Sequence, residues 1–132
     1  MNAPIETTTP SASSLHRMVG RHSRVTLYNG DCLEVMREIP NTHTDAIITD
    51  LPYGTTACKW DSVIPLPEMW RLYYAVSRPD APIILTAMQP FTSHLCLSNL
   101  DAFKYELIWH KTRNSHPFFA NKRPLPQHEN VL

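Results

Sequence analysis

The sequence predicts an α/β domain whose sheet is mostly parallel. Short apolar, β-branched runs alternate with segments of helical period in the order β-α-β-α-β-α-β. Connections of that kind build parallel sheets covered by helices. Two carboxylates, Asp31 and Asp50, directly follow or end strand-like runs, and ligands of such sheets sit at the carboxyl ends of strands.

Residues 1–22 are rich in Thr, Ser and Pro and hold few large apolar side chains. That is too little surface to offset the entropy of ordering, so the stretch reads as a disordered leader. Residues 23–132 read as one domain, within the usual range of about 50–250 residues. Arg24-Val25-Thr26-Leu27-Tyr28 is strand-like and is closed by Asn29-Gly30. Asp31 then stands where a helix begins, with Glu34 three residues on as an acidic variant of the capping box. Leu33, Val35, Met36 and Ile39 supply the apolar positions of this helix, and Pro40-Asn41 ends it.

Asp45-Ala46-Ile47-Ile48-Thr49 is the next strand, apolar enough to be buried on both faces. After a loop over 50–65, the spacing of Leu66, Met69, Trp70, Tyr73 and Tyr74 predicts a helix over 67–77. That stripe reads as core packing, and Arg78-Pro79-Asp80 breaks the helix. Pro82-Ile83-Ile84-Leu85-Thr86 is a third strand, residues 91–100 a short helix, and Tyr105-Glu106-Leu107-Ile108-Trp109 a fourth strand. A polar, proline-bearing loop follows, and Glu129-Asn130-Val131-Leu132 reads as the start of another strand.

Twelve Lys and Arg balance twelve Asp and Glu, so net charge gives no support to a nucleic-acid partner. The distribution says more: Lys104, Lys111, Arg113, Lys122 and Arg123 crowd the last thirty residues with His110, His116 and His128. Lys111, Arg113 and Lys122 are candidate phosphate contacts; a solvated basic surface is the alternative. Cys32, Cys58 and Cys96 are odd in number and widely spaced, which argues against a disulfide framework or zinc site. The seven histidines are scattered, so no metal is expected. With no secretory signal and no run near the ~20 apolar residues of a membrane span, the expected location is the cytoplasm.

Asp50-Leu51-Pro52-Tyr53-Gly54 follows an apolar strand. The Asp50 carboxylate can accept one hydrogen of a planar amine and the Leu51 carbonyl the other, with Pro52 holding Leu51 extended. Tyr53 offers a face for a base, a contact worth ~1–3 kcal/mol in comparable cases. An exocyclic amino nitrogen conjugated with its ring is a poor nucleophile, and two acceptors drawing on its hydrogens stabilise the charge that develops during attack on a methyl group. Taken alone, the same residues also fit a plain strand-to-loop turn.

Gly30-Asp31-Cys32-Leu33-Glu34-Val35-Met36, then Thr44 to Thr56, then Tyr105 to Thr112 and Pro124 to Leu132, together resemble the amino-directed DNA methyltransferases. The closest likeness is to the branch, common in phages and restriction systems, whose D-x-P-Y motif precedes the cofactor motif. The resemblance covers about residues 25–132. It implies an incomplete Rossmann-like fold, S-adenosylmethionine as cofactor and double-stranded DNA as partner. By the same resemblance Asp50, Leu51, Pro52 and Tyr53 hold the target amine. Adenine-N6 is favoured by the Asp at the head of the motif, cytosine-N4 being the alternative. Asp31 matches the acidic position facing the adenosine of the cofactor, with a plain helix N-cap as the other reading. Trp60, in the loop after the motif, matches a region that closes over the base, or else simply packs. The target base must be flipped from the duplex to be reached.

The departure from the family is the missing F-x-G-x-G segment: only Gly20, Gly30 and Gly54 are present, whereas close backbone approach to the cofactor needs glycine. The expectation is a partial catalytic domain that binds S-adenosylmethionine weakly and draws on a second chain for the glycine-rich half, or else a non-catalytic DNA-binding remnant. In the family sheet two further strands lie between the 25–28 and 45–49 strands. Without them the first is expected to have no partner and the second an open edge.

Overall fold

The computed structural model describes residues 14–19, 24–41, 44–112, 120–122 and 124–132. The chain divides into two compact units, Met1–Pro40 and Asn41–Leu132.

In the first unit, β1 (Ser14–Val19) pairs antiparallel with β2 (Arg24–Asn29), in register from Ser14 against Asn29 to Val19 against Arg24. This corrects two expectations, because β1 falls inside the leader and the 25–28 strand does have a partner. Leu15, Met18 and Val19 give the end of the leader enough apolar content for a strand. An antiparallel neighbour needs only a short link, unlike the crossover a parallel one requires. As a result β2 belongs to a two-stranded sheet of its own rather than to the larger one. Helix α1 (Cys32–Glu38) follows, capped by Asp31.

The second unit carries a four-stranded sheet in the order β3-β4-β6-β5, formed by β3 (Ile47–Asp50), β4 (Ile83–Ala87), β5 (Leu107–His110) and β6 (His128–Val131). β3 and β4 are parallel, while β6 runs antiparallel to both of its neighbours, β4 and β5. β3, β4 and β5 therefore share one direction and β6 reverses it. The sheet is mixed, and the purely local sequence signal could not show β6 inserting between β4 and β5.

Helix α2 (Leu66–Val76) makes the crossover from β3 to β4, and α3 (Phe91–Ser98) follows β4. The core draws Met69, Leu72, Tyr73 and Val76 from α2, Leu85 and Ala87 from β4, and Phe91 and Leu95 from α3. The stripe of α2 is thus rotated from the expected one: Met69 is fully buried, but Tyr74 is exposed, its hydroxyl accepting from the Asn99 amide at 2.6 Å. Positions 69, 72, 73 and 76 make a better i, i+3, i+4, i+7 face than one including Tyr74. β3 also departs from expectation, since Ile48 is 74 % exposed. Among the described residues β3 pairs on one side only, and its edge is open as the sequence suggested. No helix among the described residues is long and apolar enough to cross a membrane.

Candidate functional site

Asp50 is the last residue of β3 and lies in register with Thr86 of β4. Parallel pairing brings the carboxyl ends of these two strands side by side, and the polar side chains meet there. The Tyr53 hydroxyl donates to Asp50 Oδ1 at 2.7 Å and lies 3.0 Å from Thr86 Oγ1, while the Thr86 hydroxyl also donates to Asp50 Oδ1. Both donations to the Asp50 carboxylate fall on the same oxygen.

Leu51 turns its side chain into the core, 5 % exposed. A ligand contact at this position would therefore use the backbone carbonyl, and the leucine side chain serves packing. Tyr53 is half-buried and stacked on Phe91, with ring centroids 5.5 Å apart and planes 26° apart. Phe91 backs one face of the ring. Burial, with the neighbouring Asp50 carboxylate adding to it, pushes the Tyr53 hydroxyl well above the ordinary tyrosine value. It stays protonated at neutral pH and acts as a donor.

The loop beyond the motif is gathered by Asp61, which is 7 % exposed. Its carboxylate accepts from the backbone N–H groups of Gly54 (2.8 Å), Thr55 (2.9 Å) and Thr56 (2.7 Å). The Thr56 hydroxyl bonds it as well, and this bond, ahead of the backbone ones, holds the carboxyl below the usual value. Gly54 sits at φ +68°, where a side chain is strained, and an added Cβ would come within 2.9 Å of Val63 Cγ2. A cleft of about 410 Å³ is lined by Thr55, residues 88–90 and 124–126, His128 and Asn130.

The remaining sequence candidates divide. Trp60 is 73 % exposed, which argues against the packing alternative among the described residues. Lys111 is half-buried, ion-paired with Glu129, and its Nζ lies 5.8 Å from the Trp109 ring centroid. Its charge is already matched, which weakens it as a phosphate contact. Lys122 is exposed. Arg113 and His116 lie outside the described residues.

Asp31 belongs to the first unit, and its Oδ1 accepts from the N–H groups of Leu33 (2.9 Å) and Glu34 (3.3 Å). That is helix capping. Gly54 is bound into the Asp61 turn and the chain holds no F-x-G-x-G segment, so the residues present do not fit the glycine-rich part of an S-adenosylmethionine site. All three cysteines are free, and burial pushes the Cys32 and Cys96 thiols up, away from thiolate chemistry. Among the described residues no cluster of His, Cys, Asp and Glu is placed to hold a metal ion.

Sequence reasoning missed Thr86, Phe91 and the role of Asp61. Thr86 was within reach, because it stands at the carboxyl end of a strand-like run, as Asp50 does. Phe91 and Asp61 carried no such signal. No model of a known protein family matches the chain, and no curated protein matches it.

Proposed function

We propose that this chain carries the amine-holding part of an S-adenosylmethionine-dependent DNA methyltransferase acting on the exocyclic amino group of a flipped base, adenine-N6 in preference to cytosine-N4. The reading rests on the sequence blocks that resemble that family. The structural observation that supports it best is the group at the ends of β3 and β4: a carboxylate bonded by two hydroxyls on Oδ1, beside a tyrosine ring backed on one face. In this arrangement Asp50 accepts one amino hydrogen through Oδ2 and the Leu51 carbonyl accepts the other. The base stacks on the face of Tyr53 opposite Phe91. Fixed acceptors of this kind favour the charge that grows on the nitrogen as it forms a new bond to carbon. The amine proton then released departs toward the Asp50 carboxylate or water.

S-adenosylmethionine would supply the electrophilic methyl in this chemistry, its methyl carbon–sulfur bond breaking as the nitrogen–carbon bond forms and the thioether leaving, and its site would come from elsewhere, in the same protein or in a partner chain. Double-stranded DNA is the proposed substrate and the cytoplasm the proposed location. The capping role of Asp31 and the scarcity of glycine favour a second reading, a DNA-binding subunit or remnant without its own donor site.

The test is transfer of labelled methyl from S-adenosylmethionine to unmethylated DNA, with Asp50→Ala as control and methylated nucleosides identified after digestion. Label on N6-methyladenine that disappears in the variant is the expected result, with the chain alone or after a chain bearing F-x-G-x-G is added. Label on cytosine moves the proposal to N4. Absence of transfer in both conditions favours the non-catalytic subunit.

A further inference from the structure

We propose that Asp61 is the positioning residue of this site, a clasp that fixes the segment following Tyr53 and thereby sets where the Tyr53 ring and the Asp50 carboxylate stand. The inference rests on the base-holding reading above, but its geometry stands by itself. Three consecutive backbone N–H groups, those of Gly54, Thr55 and Thr56, converge on the two oxygens of one buried carboxylate. Successive N–H groups turned inward form a concave nest that attracts an anion, and here the chain supplies its own.

The first peptide in the nest is the one that joins Tyr53 to Gly54. Gripping it restrains the Tyr53 backbone directly, on the side opposite the strand that carries Asp50. The Tyr53 ring is then held at three places: its backbone by Asp61, its face by Phe91 and its hydroxyl by Asp50 and Thr86. Gly54 takes the left-handed conformation this requires, and Val63 closes the space a side chain would need. Asp61 itself bonds none of the groups assigned to the base, so its effect on a ligand passes through Tyr53.

A merely structural anchor would stabilise the loop and leave the ring where it is. The distinction is read from the ring of Tyr53 by NMR of the full chain carrying ¹³C-labelled tyrosine, with Tyr53→Phe for assignment and deoxyadenosine monophosphate as the ligand probe. In Asp61→Asn, which keeps the shape but turns an amide N–H₂ toward the nest, the amides of residues 54–56 are expected to exchange about tenfold faster. The Tyr53 ring signals move toward free-tyrosine positions, and the Kd for the nucleotide rises about tenfold.

Tyr53 signals unchanged in Asp61→Asn overturn the proposal, whatever the chain binds. Signals that move in the variant, in a wild-type chain that ignores the nucleotide, keep Asp61 as the positioning residue and remove the base reading instead. Should Asp61→Asn fail to fold, Thr56→Val removes the hydroxyl that acts on Asp61, and with it the acceptor of the Cys58 N–H at 3.3 Å, while leaving the Asp61 carboxylate and the three backbone bonds in place. A smaller shift of Tyr53 in the same direction supports the clasp, and none overturns it.

Discussion

At the scale of single residues the site is a set of polar side chains that satisfy one another. Thr86 is the plainest case: its hydroxyl donates to Asp50 across the parallel pair. Thr86→Val keeps the volume and favours a strand, so propensity alone predicts no loss. The bond argues otherwise, and urea denaturation is expected to show a loss of about 1 kcal/mol. Asp61 gives a pH dependence whose sign is fixed. Its carboxyl is held below the ordinary value of about 3.9, so the folded clasp binds its proton less readily than the unfolded chain does. The clasp's contribution is complete above about pH 4 and fades as pH falls through the lowered value. Protection of the 54–56 amides, followed by NMR as the pH is lowered from 6, should therefore decline at the acid end, and Asp61→Asn should flatten that dependence. Asp50 and Tyr53 were legible because they follow an apolar strand in a recognisable order. Asp61 was not, because an aspartate in a polar loop looks the same whether it is solvated or gathers three amides.

At the scale of elements, the helices and the strands other than β1 were legible to within a few residues, since their signals are local. The 24–28 strand, the 45–49 strand and the helix after Leu66 all have counterparts in β2, β3 and α2. Partnership was less legible: nothing in the composition of β2 says that its neighbour is β1, and nothing in β6 says that it inserts between β4 and β5. The face of α2 was half right, as six apolar residues in the nine positions 66–74 admit more than one stripe. The buried face makes a measurable claim. Met69 is 0 % exposed, whereas Leu97 on α3 is 72 % exposed. Met69→Ala is expected to cost about 2–5 kcal/mol in denaturant titration, and Leu97→Ser to stay within about 0.5 kcal/mol. Equal effects would mean that α2 does not present the 69, 72, 73, 76 face inward.

At the scale of the whole molecule the second unit has two unpaired sheet margins among its described residues, and they differ in kind. β3 ends the sheet on one side with a single exposed isoleucine, Ile48. β5 ends it on the other, and all four of its residues are exposed, with Leu107, Ile108 and Trp109 in succession and Tyr105 just before them. A strand exposed on both faces and unpaired along one side offers backbone N–H and C=O groups together with apolar surface, the combination that templates pairing with another chain. Lys111 follows β5 but gives the margin little protective charge, since Glu129 pairs with it. Concentration-dependent self-association is therefore expected of the purified chain. Ile108→Lys places an unmatched charge in the middle of β5 at a position 58 % exposed, where the core loses nothing. Sedimentation velocity over a hundredfold range of concentration, with the range set by the experimenter, should show the variant shifted toward monomer and the wild type toward larger species. If both stay monomeric, exposed apolar residues on β5 are tolerated without pairing. If both associate equally, the contact lies at β3 or in the first unit, and Ile48→Lys becomes the informative variant.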